Sequence, residues 1–294
     1  MALRSALRID PAASVERRES FADTFRAIDP FAPALPVGEL SAQRGDGVFE
    51  SLGVVDAHPQ EVEPHLERLA HSAQLCDLPV PNLAQWREAI VTVAREAGRG
   101  ENVMKLLLSR GVEGVDAPTA WITLADAPDN TAARTDGVRV ATLDRGYALD
   151  VPARAPWLLL GAKTLSYATN MAAIREAKRR GADDAVFVSS DGFVLEAPTA
   201  SVVLRVGQRF VTPAPSVGIL HGTTQVSLFA HLERRGFATD YATVSVAELA
   251  DAEAAWLLSS VRLAAPVSAV DGRALPIDRA FSDELNAYLL SPRD

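Results

Sequence analysis

The segment DAVFVSSDGFVLEAPTASVVLRVGQRFVTP (residues 184–213) decides the fold class, because it predicts two β-hairpins in succession. Asp191-Gly192 and Gly207-Gln208 each interrupt runs of β-branched and aromatic residues, and Asp-Gly is a strong signal for a tight hairpin turn. Strands joined by such turns are antiparallel. Together with interspersed helices, they predict an α+β fold rather than a doubly wound parallel sheet.

Helices and further strands flank these hairpins. Val62, Leu66, Leu69 and Ala73 recur at helical spacing, and Asn82 is a suitable N-cap for a second helix. Two more helices are predicted at 170–181 and, directly after Gly222, at 223–236. Strands are predicted at GVFESLGVV (47–55), NVMKLLLSRG (102–111), TAWITLAD (119–126), WLLLG (157–161), AAWLLSS (254–260) and PVSAVDG (266–272).

The pattern predicts two domains after an N-terminal extension. Residues 1–35 are polar and rich in Pro and Ala without a clear period, so we expect an extension with one short helix. The Pro-containing stretch 146–157 is typical of a linker. We therefore expect a small N-terminal domain at 36–150 and a larger C-terminal domain at 151–294.

Composition excludes several classes of function. The formal net charge is −9, and no basic block with interleaved aromatic residues is present, so a nucleic acid is not an expected partner. No apolar run reaches the roughly 18 residues of a membrane span, and the N-terminus has no signal-peptide pattern. We expect a cytoplasmic protein that binds no metal, with Cys76 in a packing role.

Lys163 in GAKTLSYATN (161–170) is unusual because the chain has only three lysines, Lys105, Lys163 and Lys178, among 29 basic residues. Lysine can lose its proton and act as a nucleophile, which arginine cannot. Its predicted place after an apolar strand favours the free amine. The alternative is a solvated strand end without chemistry.

Three other features can join this amine. Glu196 ends an apolar strand, where a charge is costly unless a cation pairs with it, although it can also turn to solvent. Thr223 and Thr224 open a helix after a glycine, which suits a phosphate or simply an N-cap. Arg68 flanks the apolar stripe of a helix. Its side chain is either exposed to solvent or turned inward as a phosphate ligand. An amine, a carboxylate and a phosphate clamp are what pyridoxal phosphate requires.

Five blocks in order resemble the fold-type IV pyridoxal-phosphate enzymes, which include branched-chain and D-amino-acid aminotransferases and aminodeoxychorismate lyases. The blocks are RGDGVFESL (44–52), HLERL (65–69), KTLSYATNM (163–171), DGFVLEAPTASVV (191–203) and GILHGTTQ (218–225). The resemblance implies a two-domain α/β fold with a barrel-like C-terminal domain, pyridoxal 5′-phosphate as cofactor, a small-molecule amine substrate, and a homodimer.

The resemblance also implies residue roles. Lys163 would be the catalytic Schiff-base lysine, and Glu196 the partner of the pyridine nitrogen. The other residues expected at the cofactor are Arg68, Thr223, Thr224, Ser260 and Tyr167; those expected at the substrate are Arg110, Phe49 and Arg44. His65 is expected to be structural.

Departures from the family pattern concern substrate contacts. Ala197, Val202 and Gln225 replace the family's Gly, Asn and Arg, and Arg44 replaces an aromatic residue or histidine. The stretch LLLSRGVEG (106–114) and KTLSYA resemble the aminodeoxychorismate lyases most, because no histidine follows Arg110 as in the D-amino-acid aminotransferases. An aminotransferase remains the alternative enzyme. A binding protein without catalytic activity is the alternative from a different functional class.

Overall fold

Two β-sheets organise the chain, one in each of two structural units. The computed structural model describes residues 2–294. The first unit comprises the residues up to Pro128 together with Ala162–Tyr167 and Ser291–Asp294, and the second comprises Asp129–Gly161 and Ala168–Leu290. This division differs from the expected one at 150/151, because Val138–Asp144 pairs with strands of the second sheet.

The first unit is a six-stranded sheet with helices against one face. Its strand order is β2-β1-β6-β5-β3-β4, and every pairing is antiparallel. The elements are β1 (Leu3–Ile9), β2 (Phe25–Ile28), α1 (Leu40–Arg44), β3 (Gly47–Val55), β4 (His58–Pro59), α2 (Val62–Leu75), α3 (Leu83–Ala94), β5 (Glu101–Ser109) and β6 (Thr119–Asp126).

Helix α2 lies where its apolar spacing predicts it. Leu66, Leu69 and Ala73 are fully buried, and the helix packs against β3. The Asn82 side chain caps α3 by accepting from the Gln85 backbone N–H, as predicted. Both helix predictions are confirmed.

The N-terminal segment is part of the sheet rather than an extension. Strand β1 pairs with both β2 and β6, and Ala6, Leu7 and Ile9 are buried. The expected short helix is limited to a 3-10 turn at Ala22–Thr24. The prediction was wrong because β1 is rich in Arg and Ser, so its alternation is weak.

The second unit contains a mixed sheet of order β11-β10-β9-β12-β13-β7-β8, with β14 on β13. The pairings β10–β11, β13–β7 and β7–β8 are parallel, and the others are antiparallel. Its strands are β7 (Val138–Asp144), β8 (Asp184–Val188), β9 (Ser201–Val206), β10 (Arg209–Pro213), β11 (Ala238–Ala242), β12 (Ala254–Ser259), β13 (Leu263–Val270) and β14 (Arg273–Ala274). Its helices are α4 (Thr131–Thr135), α5 (Val151–Arg154), α6 (Ala168–Arg179), α7 (Thr223–Arg234), α8 (Val246–Ala250) and α9 (Arg279–Leu290).

Both predicted hairpins are present. Strands β9 and β10 pair across Gly207-Gln208. The chain after β8 turns at Asp191-Gly192 and bonds back to it, with the Phe187 N–H donating to the Glu196 carbonyl at 2.8 Å. The α+β prediction is therefore confirmed.

The apolar run WLLLG does not form the predicted strand. Residues 156–158 form a 3-10 turn, Trp157 is 74% exposed, and Leu159 has a left-handed φ of 53°. Pro156 begins this 3-10 turn, a position that suits its fixed φ and its missing N–H, so the chain turns here instead of extending. Within residues 2–294, no helix combines the length and apolar character needed to cross a membrane.

Candidate active site

Lys163 lies in a short segment that pairs with the beginning of β3. Its carbonyl accepts from the Phe49 N–H at 3.0 Å, and Thr164 forms an isolated bridge with Val48. The Lys163 backbone N–H donates to the Ser72 hydroxyl of α2 at 3.1 Å. Its Nζ lies 4.5 Å from the centroid of the Phe49 ring. The backbone of the lysine is thus fixed on two sides, and its amine lies over an aromatic face.

Tyr167 contacts the Phe49 ring, and Arg44 contacts Ser166 through its backbone. The Tyr167 ring meets the Phe49 ring edge-on, with centroids 5.4 Å apart. Arg44 is the last residue of α1 and is exposed, and its carbonyl accepts from Ser166 Oγ at 3.5 Å. The structure therefore brings Lys163, Phe49 and Tyr167 into one cluster.

Arg68 forms a buried ion pair in the same unit. Its Nε and Nη2 donate to the two oxygens of Glu50 at 2.7 and 2.8 Å, and His65 Nδ1 donates to Glu50 at 2.7 Å. Glu50 and His65 are fully buried, and little of the Arg68 side chain is exposed. This bidentate geometry fixes the plane and direction of the guanidinium, and it supports the structural interpretation of His65.

The electrostatics of this trio keep the carboxylate ionised. Burial alone would raise the pKa of Glu50, but the charge and hydrogen bonds of Arg68 and the hydrogen bond of His65 outweigh it and hold that pKa far below its usual range. Burial lowers the pKa of His65 despite the opposing Glu50 charge. We therefore describe the trio as Glu⁻, Arg⁺ and a neutral histidine.

Arg110 forms its hydrogen bonds within its own unit. Its Nε and Nη2 donate to the Asp46 carboxylate at 2.8 and 3.2 Å. Its Nη1 and Nη2 donate to the carbonyls of Asp77 and Cys76, just beyond the end of α2. All three guanidinium nitrogens therefore take part in hydrogen bonds, either to the Asp46 carboxylate or to carbonyls at the C-terminal end of α2. The expected substrate role of Arg110 stays a prediction.

The second unit holds the expected phosphate side. Helix α7 begins at Thr223, and its N-cap is Gly222. Thr223 and Thr224 are buried, and their hydroxyls lie 3.5 and 3.2 Å from the Ser260 hydroxyl. A Cβ at Gly222 would lie 2.3 Å from Ser201 Oγ, so a larger residue there would require the Ser201 side chain to move. The first turn of an α-helix presents N–H groups without intrahelical partners, and they favour an anion.

Glu196 lies in the same unit at the end of the first hairpin. The Leu220 backbone N–H donates to its Oε2 at 3.1 Å, which ties the carboxylate to the loop before α7. The side chain is half-buried. Gln225, which replaces a family arginine, is buried and donates through Nε2 to the Tyr241 hydroxyl at 3.1 Å.

Comparison with known proteins identifies the family. The model of the amino-transferase class IV family matches residues 47–270, which is most of the chain. The chain belongs to the class IV aminotransferase family. Its fold is that of the fold-type IV enzymes, as the sequence blocks predicted.

Several relatives resemble this class IV chain over nearly its full length. The bifunctional aminodeoxychorismate lyase / D-amino acid transaminase of Mycobacterium tuberculosis is 44% identical over 280 residues, which cover 90% of this chain and 97% of the relative. The structure of a fold IV transaminase from Curtobacterium pusillum matches with a TM-score of 0.92 at 49% identity, over 97% of both chains. A hypothetical aminotransferase from M. tuberculosis in its PLP-bound form matches with a TM-score of 0.87 at 42% identity, over 97% of both chains.

The class IV enzyme uses pyridoxal 5′-phosphate, and its side chains fit that cofactor. The first unit offers an amine, Lys163, beside aromatic rings. The second offers a carboxylate, Glu196, and three clustered hydroxyls at a helix N-terminus whose cap has no side chain. Taken unit by unit, the amine suits an aldehyde, the carboxylate a pyridine nitrogen and the hydroxyls a phosphate. The role of each single residue remains a prediction.

Sequence reasoning missed Glu50 and Ser72. The signal for Glu50 was present, because it alternates in phase with Val48 and Leu52 on the buried face of β3, where an acid requires a cation. Ser72 carries no such signal in the sequence. Its hydroxyl accepts a hydrogen bond from the Lys163 N–H, and only the folded chain brings these two residues together.

Proposed function

We propose that the chain is a cytoplasmic 4-amino-4-deoxychorismate lyase that forms 4-aminobenzoate and pyruvate for folate biosynthesis. The observation that carries the proposal is the use of Arg110 within its own unit, by Asp46 and the end of α2. An α-carboxylate trap of the Arg-x-His kind would also need a histidine two residues after Arg110, where this chain has Val112. The lyase name of a relative 44% identical over 280 residues also supports this reaction.

In this reaction each residue has a defined task. Bound pyridoxal phosphate supplies an electron sink for the electrons left when a proton departs. Lys163 Nζ would hold the cofactor and, once the substrate amine has displaced it, would remove the proton from the ring carbon that bears that amine. The ether C–O bond then breaks, the ring becomes aromatic, and the enolpyruvyl group takes up a proton to become pyruvate. The cofactor is returned unchanged.

The remaining residues bind and orient. Glu196, held by the Leu220 N–H, keeps a proton on the pyridine nitrogen. Thr223, Thr224 and Ser260 donate to the phosphate together with the start of α7, and Arg68 is held by Glu50 in a fixed plane for the same group.

The lyase proposal is tested by the formation of 4-aminobenzoate from aminodeoxychorismate. We expect the wild-type chain to form it with an equal amount of pyruvate, and Lys163→Ala to lose the activity and the visible absorbance of the bound cofactor. Lys178→Ala is the matched control, because Lys178 lies in the last turn of α6. Wild-type enzyme that binds the cofactor and forms no 4-aminobenzoate would exclude the lyase.

A D-amino-acid aminotransferase is the second candidate. It is favoured by the double name of the same M. tuberculosis relative and by a 44% identical M. tuberculosis structure with α-ketoglutarate and PMP bound. The assay supplies D-alanine and 2-oxoglutarate and measures pyruvate and glutamate. Branched-chain L-amino acids are the comparison substrates. Transfer from D-alanine alongside 4-aminobenzoate formation would indicate both activities in one site.

A further inference from the structure

The turn between β12 and β13 carries Ser260 and holds a strained conformation. Ser260 Oγ lies 3.2 Å from Thr224 Oγ1 and 3.5 Å from Thr223 Oγ1. Leu263, which ends the turn, is buried and has a φ of 64°. A leucine in this left-handed region is unfavourable and persists only where neighbouring groups impose it. Something must therefore hold the turn at residues 260–262.

The holding groups come from the segment that opens the second unit. Arg134 donates from Nε to the Arg262 carbonyl at 3.0 Å and from Nη2 to the Val261 carbonyl at 3.1 Å. Asn130 Nδ2 donates to the Val261 carbonyl at 3.3 Å. One planar guanidinium thus bridges two successive carbonyls of the turn, which fixes the direction of the backbone directly after Ser260.

The helix that carries Arg134 is itself anchored. Helix α4 contacts β13 and α9, and Ala133 packs against the buried core of the unit. Its start is fixed by the Thr131 N–H, which donates to Asp129 Oδ1 at 2.9 Å. Arg134 therefore extends from a packed helix rather than from a free loop.

We propose that Arg134 is a positioning residue for the phosphate of the cofactor, acting through the Ser260 turn. The inference rests on the proposed function, in which Ser260, Thr223 and Thr224 bind that phosphate. Arg134 does not bind it; its two hydrogen bonds to the turn set where the Ser260 hydroxyl lies. Without them the left-handed Leu263 relaxes, and the hydroxyl moves away from the threonines.

The test compares pyridoxal phosphate with pyridoxal, which lacks the phosphate, as ligands of the apoenzyme. Arg134→Met keeps most of the side-chain length and removes the donors. We expect it to raise the Kd of pyridoxal phosphate about tenfold, the effect of losing about one well-placed hydrogen bond, and to leave the Kd of pyridoxal within twofold. Arg139→Met is the matched control, because Arg139 pairs with Asp183 at the surface of the same unit. The Kd of this variant for pyridoxal phosphate should equal that of the wild type.

A double-substitution cycle shows whether Arg134 acts through Ser260. We expect Ser260→Ala to raise the Kd of pyridoxal phosphate, and Arg134→Met to add less than twofold to it. Fully additive effects, or an equal loss of affinity for pyridoxal, would overturn the positioning role. Arg134→Lys, which can keep one of the two bonds, should give an intermediate Kd and serves if the methionine variant does not fold.

Ser260→Ala and Arg134→Met test the phosphate ligands and the positioning role separately. If Ser260→Ala leaves the Kd of pyridoxal phosphate unchanged, the assignment of the phosphate ligands is wrong. If Ser260→Ala weakens binding and Arg134→Met does not, only the positioning role is wrong.

Discussion

Glu50 shows at the residue scale how one buried charge organises its surroundings. It is fully buried and accepts hydrogen bonds from both Arg68 and His65. Removing one partner of a buried ion pair leaves an uncompensated charge, which costs more than the pair itself contributes. The orientation of Arg68 and the stability of α2 on β3 therefore depend on the same carboxylate.

Glu50→Gln is expected to destabilise the chain by about 3–5 kcal/mol, because the Arg68 charge then loses its ion pair with Glu50. Urea unfolding of the apoprotein measures the change. Ser51→Ala is the control, since the neighbouring residue on β3 is partly exposed and points to the opposite face. A loss equal to that of the control would show that Arg68 finds another partner.

The same trio predicts a loss of stability in acid. The pKa of His65 is lowered in the folded state by burial, so the unfolded chain binds more protons below about pH 6.5, and the unfolding free energy falls there. The lowered pKa of Glu50, in which Arg68 overcomes burial, adds a second loss as the pH falls below about 4.3 toward the folded-state value.

Denaturant unfolding at a series of pH values from about 8 to about 2 measures this dependence. Glu50→Gln should flatten the fall in unfolding free energy below about pH 4.3, because residue 50 then no longer titrates. An unchanged slope in that variant would assign the acid sensitivity to other carboxylates.

At the scale of elements, sequence periodicity predicted the helices and hairpins that have local signals. Helix α2 has its apolar stripe, α3 its Asn82 cap, and β9–β10 their turn residues. Strand β1 could not be predicted, because its place depends on pairing with the distant β6. The run WLLLG misled because its apolar residues suggested a buried strand, although the preceding Pro156 begins a 3-10 turn.

The candidate site divides in the same way. The residues within sequence blocks, such as Lys163 and Thr224, could be predicted from resemblance. Ser72 and Arg134 could not, because they act through hydrogen bonds to backbone atoms that are far away in sequence. A backbone contact leaves no trace in the identity of the residue contacted.

The beginning of α7 offers a prediction at this scale. Gly222→Ala is expected to weaken the binding of pyridoxal phosphate and to cost about 1–3 kcal/mol of stability, because its Cβ would lie 2.3 Å from Ser201 Oγ. Titration of the apoenzyme and thermal unfolding measure the two effects.

The control is the compensating variant. Gly222→Ala combined with Ser201→Ala removes the contacting hydroxyl and should recover most of the lost stability, because the Gly222 φ of −71° suits alanine. Failure to recover would mean that the backbone itself, rather than the clash, requires glycine.

At the scale of the whole molecule, the family resemblance predicts a homodimer. Large apolar side chains, including Trp157 and Leu158, are exposed in the isolated chain, and such surface is typical of an interface. Light scattering coupled to size-exclusion chromatography should give twice the mass of one chain. A mass of one chain at every concentration tested would contradict the prediction.

The first unit is assembled from three separate stretches of chain, since Ala162–Tyr167 and Ser291–Asp294 join the residues up to Pro128. The coding sequence of this unit is therefore not contiguous, and one crossover between two related genes cannot transfer the whole unit. A chimera joined at Pro128 would take its Lys163 segment from one parent and the β3 strand that pairs with this segment from the other. A recombinant is therefore expected to keep this pairing only where its two parents supply a compatible Lys163 segment and β3 strand.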